Sequence, residues 1–486
     1  MPPPQSTPDA TNVLIVGAGP AGLTLAIDLA RRSVAFRLID KAPSPFQGSR
    51  GKGIQPRSLE VFEDLEVLAT MLAAGGPYPP VRTYDHEGGF EETAIGEGAT
   101  PSPAEPYATP LMLPQVLTET ILRQRLAALG HAPEYAAELT AIDQDAEGLT
   151  ATLADGRTIR ARWLVGADGG RSFVRHALDI DFPGKTLPGQ AMVADTKLTG
   201  LSRDAWHVFG TRETAQISFC PLAGTDLFQI QGHAPENGEA GLTTEGLNAL
   251  IRERTGRDDI VVRAVFWGSI YGLNARLAER YRVGRVLLAG DAAHIHPPTG
   301  GQGLNTSIQD AYNLGWKLAA VLEGAPESLI DTYEAERRPI AASVLGLSTD
   351  LLAKALTRQG MKRGREARQL DLGYESSSLS LDLGVEAKIA PGDRAPDAPC
   401  HDRDGRPVRV FEVLRGPHWT LLGATTLAPR PGLIVADLID AEGKFADAYG
   451  LPPGGFVLVR PDGYVATIGQ AGDEAAIEVY LAKVGL

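Results

Sequence analysis

The chain is built from short, wholly apolar runs and longer stretches in which apolar residues recur every three or four positions. Residues 11–16 predict a strand whose apolar run, 13–16, closes in Gly17-Ala18-Gly19-Pro20-Ala21-Gly22. A short apolar run ended by glycines predicts a strand buried on both faces. Pro20 suits the first turn of a helix, and Leu23, Ala26, Ile27 and Ala30 then share one helical face. A second run, 35–39, ends at Asp40 and completes a β-α-β unit. Helical periodicity returns over 115–129, 304–323 and 329–352. Residues 149–158 predict strand, Asp155-Gly156 turn, strand, and 162–165 and 285–289 predict two more buried strands. Residues 75–114 are rich in Pro and Gly and predict loops with short strands. From 182 to 274 the pattern predicts antiparallel strands, such as 216–219 and 227–231, able to roof a pocket. Residues 357–390 are polar and predict helix plus linker. After Pro391 strand signals return at 419–422, 432–436 and 456–460, and a last helix is expected over 474–484.

The expected fold class is therefore α/β. A Rossmann-like unit is assembled from 11–175 and 276–356, with an antiparallel-sheet unit inserted over 176–275 that borrows part of 76–114. Segment 357–390 links these to a small α/β unit over 391–486. A chain of 486 residues accommodates about three such units. Apolar residues, at 43%, suffice for packed cores.

A net charge of −14 argues against nucleic acid or an anionic membrane as partner, since phosphate binding is driven by Lys and Arg. The two cysteines, Cys220 and Cys400, form neither a disulfide framework nor a thiolate metal cluster. The Pro-rich start lacks an apolar signal core, and no apolar run is long enough to span a bilayer. A soluble, cytoplasmic protein is expected.

Three motifs carry chemistry. In the first, Gly17 permits a tight turn, Gly19 lets a pyrophosphate approach the backbone, and Gly22 lets helix and strand pack closely. The helix start offers free N–H groups to phosphates. Asp40, eighteen residues past Gly22, can accept from ribose hydroxyls, which favours FAD or NAD over NADP as the bound dinucleotide. The second motif is Gly290-Asp291, followed by Pro297-Pro298 and Gly300-Gly301-Gln302-Gly303-Leu304-Asn305. Glycine pairs at a helix entry expose several amides, able to stabilise negative charge on a reduced flavin ring. A plain Gly-rich helix entry would read the same. The third motif, Asp168-Gly169-x-Arg171-Ser172, reads equally as a capped strand-to-helix turn.

Taken together, and in this order along the chain, these motifs resemble the flavin-dependent aromatic hydroxylases of the p-hydroxybenzoate hydroxylase type. More narrowly, the chain resembles the aromatic polyketide hydroxylases of antibiotic biosynthesis. Further markers are Ser49-Arg50-Gly51-x-Gly53, Gln115, Phe182-Pro183-Gly184, Asn305 through Ala311 and Glu334-x-x-Arg337. The resemblance spans essentially the whole chain and implies an FAD-dependent monooxygenase, an oxidoreductase. FAD would be held non-covalently, and NADPH or NADH would visit as co-substrate. Oxygen would reach an aromatic, polycyclic substrate through a flavin hydroperoxide. Baeyer–Villiger oxygenation, or flavin-dependent dehydrogenation or reduction, is the alternative.

The resemblance implies that Gly17–Gly22 cradle the pyrophosphate and that Asp40, with Lys41 beside it, holds the ribose. Arg50 and Gln115 would contact the cofactor, and Asp168 would serve FAD and NAD(P)H. Asp291 would bind the ribityl chain, and Pro297 and Gly300–Asn305 the flavin pyrimidine. The last unit resembles a thioredoxin-like domain without a Cys-x-x-Cys, suited to packing or to a homodimer. Trp206, Phe219, Phe228 and Pro298 are candidates for the substrate pocket, with core packing at least as good a reading for the aromatics. Arg203 and Arg212 are weaker candidates for a substrate anion. His294 and His296 lack the further ligands a metal site needs. No catalytic side chain is assigned.

Overall fold

The computed structural model describes residues 9–486 except 86, 97, 211–215, 237, 298 and 357–363. Its first sheet has seven strands. Asp9–Val16 pairs in parallel with Phe36–Ile39 on one side and Thr158–Gly166 on the other. Val286–Leu288 extends the parallel set, and Leu139–Gln144 and Leu149–Leu153 add an antiparallel hairpin. The second half of this central strand, Val13–Val16, is apolar because both of its faces are covered, and Val13, Leu14 and Ile15 are fully buried. The helix Pro20–Arg31 packs closely on the long helix Gly303–Leu322. Gly315 permits this approach, since a Cβ there would sit 2.2 Å from Asp28 Oδ2. Asp28 is itself held by Arg31 and Arg32 at 2.7 and 3.0 Å.

The second sheet has eight strands, dominated by Gly184–Thr199 and Val261–Leu277, which pair along most of their length. Val81–Tyr84 and Phe90–Thr93 complete one edge. The sequence pattern differs from the structure here in two ways. Trp206–Phe209 pairs in parallel, not antiparallel, with Val81–Tyr84. A helix, Thr244–Thr255, interrupts the strands. Its signals are local: Thr243 accepts from the Gly246 amide, Leu247, Leu250 and Ile251 share a buried face, and Gly256 ends it at φ 68°. This helix covers one face of the sheet.

Two more helices lie where no element is expected, Pro56–Asp64 and Leu68–Ala74. Pro56 at the first helical position was the available signal. The helix-plus-linker reading of 357–390 needs correction in its described part. Residues 364–390 contain a single 3₁₀ turn, Arg365–Arg368, because glycines and serines break any longer helix. The long helix before them runs Asp331–Leu356.

The C-terminal sheet runs in the order Leu433–Ala436, Trp419–Gly423, Phe456–Val459, Val465–Gly469, with only the first pair parallel. With the helix Glu474–Lys483 it forms the expected thioredoxin-like layout. Among the described residues no helix is long and apolar enough to cross a membrane.

Candidate cofactor and active site

Two helix mouths converge on one cleft. At the first, Gly17 has φ 108°, and a Cβ there would lie 2.3 Å from Ala167 O. A Cβ on Gly22 would lie 1.9 Å from Gly17 O, so only glycine fits either position. Gly19 differs: its backbone is extended, and a Cβ would meet nothing within 4 Å. That open space faces the start of Pro20–Arg31, which carries no side-chain cap and no acid in its first turn. Uncapped amides beside an open cradle suit a diphosphate. Asp40 accepts from the Ala18 amide at 2.7 Å and from the Ala42 amide at 2.8 Å. It thus braces the glycine turn and retains further lone pairs for a ligand. Lys41 is exposed.

At the second mouth, Gly290 has φ 63°, and a Cβ there would approach Ala21 Cβ to 3.2 Å, so the two mouths adjoin. The Gly290 amide donates to Asp310 Oδ2 at 3.1 Å. Asp310 also accepts from His294 at 2.6 Å and from Arg337 at 2.8 Å. This joins the 305–311 and 334–337 markers in one buried anchor. His296 bonds His294 at 3.0 Å. Asp291 is exposed at its surface, with protein packed around it. Burial therefore raises its pKa, with His294 and Arg50 opposing. Arg50, exposed, projects its charge onto both Asp291 and Tyr271.

Gly300 and Gly301 take φ 81° and 65°, a left-handed pair that turns the chain into Gly303–Leu322. Pro297, just upstream, is buried, and Pro298 lies outside the described residues. Asn305 clamps this turn: Nδ2 donates to Gly53 O at 2.9 Å and Gly301 O at 2.7 Å, and Oδ1 accepts from the Gln55 amide at 2.8 Å. Gln55 Nε2 donates to Gly300 O at 3.0 Å. Leu304 packs on Gly51, whose amide donates to Gln115 Oε1 at 3.2 Å. Gln115 Nε2 in turn holds Glu119, a buried acid the motifs did not reveal, whose pKa is raised by burial. Gln302, at the N-cap, makes no side-chain cap bond, leaving the helix start uncapped. Gln302 turns away from the mouth and bonds Gly300 O, Ala367 O and Gln369 at 3.0, 3.1 and 2.7 Å.

Asp168 Oδ2 accepts from the Val174 amide at 3.1 Å, while its buried Oδ1 has no partner among the described residues. An orphaned carboxylate oxygen beside the first mouth fits a ligand hydroxyl. Of the aromatic candidates, Phe219 and Phe228 lie in the core beneath Thr244–Thr255, with Ile230, Leu247 and Ile251. Strand alternation points them away from Cys220 and Gln229, their neighbours on the other face. Trp206 lies on the opposite face of the sheet, with Lys52 Nζ 4.3 Å from its ring centroid. Arg203 is tied to Leu222 O, Thr225 O and Leu227 O, and Arg212 lies outside the described residues.

A cavity of about 430 Å³ adjoins the second mouth through Gln55. Its walls are largely apolar, from Pro77–Pro80, Ala94–Ile95 and Ala108–Pro110, with 364–368 closing one side. The size and lining are those of a small-molecule site.

The family described as "FAD binding domain" matches residues 10–348, and "Aromatic-ring hydroxylase, C-terminal" matches 388–484. A flavin-dependent monooxygenase of Mycobacteroides abscessus is 42% identical, covering 97% of this chain and 99% of that protein. A rifampicin monooxygenase of Streptomyces venezuelae is 36% identical, with 94% and 96% covered. The solved structure of the flavin-dependent monooxygenase PieE with FAD and substrate superposes with a TM-score of 0.87 at 25% identity, over 98% of this chain and 99% of that one. Aklavinone-11 hydroxylase with FAD and aklavinone gives 0.80 at 27%, over 98% and 99%. With two uncapped helix mouths on one cleft and matches along nearly its whole length, this chain belongs to the FAD-binding aromatic-ring hydroxylases, the flavin-dependent monooxygenases.

Proposed function

We propose that this monooxygenase uses NAD(P)H and O2 to hydroxylate a flat, polycyclic aromatic substrate of the polyketide type. The observation that carries the reading is the apolar cavity that opens onto the second helix mouth at Gln55 and Gly300. A rifampicin monooxygenase and an anhydrotetracycline monooxygenase are among the relatives, which supports the reading.

When bound, FAD supplies the redox chemistry, passing electrons from NAD(P)H to oxygen. The chain supplies placement. Amides at Gly19, Ala21 and Gly22 bind the diphosphate, and Asp40 and Asp168 accept from sugar hydroxyls. Asp291 accepts from the ribityl chain, with Arg50 and Gln115 close by. Amides of Gly301, Gly303 and Leu304, at the uncapped helix start, would meet the ring and would stabilise negative charge there. The proline-rich walls keep water from the reacting centre.

The test is to mix holoenzyme anaerobically with NADPH and a panel of polycyclic phenols, follow flavin bleaching, then admit oxygen and weigh the product. Faster reduction with one phenol and a gain of one oxygen atom are expected. NADPH oxidation that no phenol accelerates, with all phenols recovered unchanged, contradicts the reading.

Asp291→Ala removes a charge-assisted acceptor with a typical worth of about 1.5–3 kcal/mol, so FAD should bind roughly ten- to over a hundredfold more weakly. Flavin absorbance after reconstitution measures this. A variant that stays fully yellow at limiting FAD refutes the ribityl assignment.

A further inference from the structure

Gln302 sits in the motif that faces the cofactor, yet its side chain serves the cavity wall. Its Nε2 holds Ala367 O at 3.1 Å, and its Oε1 accepts from Gln369 Nε2 at 2.7 Å. Gln309 Nε2 donates to Gln369 Oε1 at 2.6 Å, and Thr306 Oγ1 lies 3.3 Å from Gln369 Nε2. All three glutamines are buried. Gln369 also has φ 62°, a left-handed conformation that glutamine rarely adopts. Such a conformation persists where the surroundings over-determine it, and it concentrates at functional positions. The lock thus fixes the backbone on both sides of one residue, Arg368.

Arg368 lines the cavity. The acid on the same wall, Glu92, is already paired with Arg82 at 2.6 Å. Glu105, whose carboxyl feels the Arg368 charge, is bidentate to Arg365 at 2.8 and 2.5 Å. Among the described residues the Arg368 side chain has no hydrogen bond or ion pair, so a cation on a fixed stretch of backbone is available at the wall of a largely apolar space. In a chain of net charge −14, an anion has little reason to enter unless a local cation receives it.

We infer that the cavity takes a flat, largely apolar ligand bearing one ionised oxygen (a phenolate, enolate or carboxylate), paired by Arg368, with Gln369 and Gln302 as positioning residues. This rests on the reading of the cavity as the substrate site. A guanidinium gives two parallel N–H groups to such an oxygen pair or a single strong bond to one oxygen.

The test compares anthraquinone-2-carboxylate with its methyl ester, the same ring system charged and neutral, binding to the holoenzyme by fluorescence quenching. The wild type should bind the acid at least about tenfold more tightly. Arg368→Gln should bring the acid down to the ester's affinity while ester binding holds, which also shows the cavity intact. Arg368→Lys should keep part of the preference. Gln369→Leu should shrink it without losing the ester, and a preference untouched by that change overturns the positioning role. Equal binding of acid and ester by the wild type, or a preference that survives Arg368→Gln, overturns the inference alone. If the wild type binds neither probe, the cavity reading falls with it.

Discussion

Replacing Gly19 with leucine empties the protein of FAD and leaves it folded. Gly19 is extended, at φ −79° and ψ −172°, a conformation open to any residue, and its Cβ direction is free for 4 Å. A side chain there starts into open space from a backbone it need not change. It fills the space in which a diphosphate would lie against the amides of Pro20–Arg31. Losing two charge-assisted hydrogen bonds corresponds to about 3–6 kcal/mol, a hundred- to ten-thousandfold weaker FAD dissociation constant. Stability of the apoprotein should move by no more than about 0.5 kcal/mol. Gly22→Ala is the contrasting variant, because its Cβ would sit 1.9 Å from Gly17 O and the turn itself must break. Absorbance of reconstituted protein and urea denaturation of the apo forms separate the two outcomes. A Gly19→Leu protein that retains FAD at wild-type affinity would place the diphosphate elsewhere.

The second large effect is on stability. Glu336 joins the helix Asp331–Leu356 to the C-terminal unit through a cluster with almost no exposure. Arg460 meets it with two bonds at 2.7 and 2.9 Å, and Lys317 with one at 2.6 Å. Arg460 also bonds Asp462 at 2.9 and 2.7 Å, so the four charges balance. Burial opposes the charge on Glu336, but Arg460 and Lys317 outweigh it and hold the carboxyl well below the usual carboxylate range. From its own side Lys317 is pushed down to about 8 by burial, against Glu336. With two cations facing one carboxylate, the ionised acid is the firmer assignment. Glu336→Ala leaves buried Lys317 without its counter-ion and Arg460 with Asp462 alone, and breaking a buried pair in this way typically costs about 3–5 kcal/mol. The urea midpoint should fall accordingly. The pH dependence has a definite sign. A carboxyl depressed in the folded state contributes its full stabilisation above its unfolded pKa of about 4.3 and loses it as pH falls further. Wild-type stability should therefore drop from pH 5 to 3.5 more steeply than that of Glu336→Gln. Equal slopes would show that the cluster does not hold this charge.

What could be read in the sequence is what acts locally. Gly17, Gly19 and Gly22 declare a turn because the requirement is on the backbone of those very residues. The strand 11–16 and the helix after it follow from period alone, and Gly290-Asp291 marks the second mouth in the same way. Roles that depend on distant partners were hidden. Gln302 reads as a cofactor contact until Gln369 is found against it, and Gln55 has significance only through Asn305 and Gly300. Phe219 and Phe228 illustrate a different limit. Alternation shows that a strand has two faces but not which one a later helix will cover, and Thr244–Thr255 covers theirs. The Glu336 cluster draws together charges from three separate segments, and each one alone looks like a solvated surface residue.

One dinucleotide should span the two adjoining helix mouths, and a series of cofactor fragments tests this most directly. Calorimetric titration of apoprotein with FAD, FMN and ADP-ribose compares a ligand for both mouths with ligands for one. FAD should bind one to one and each fragment at least about a hundredfold more weakly. FMN binding as tightly as FAD, or no uptake of FAD by correctly folded protein, would contradict the account.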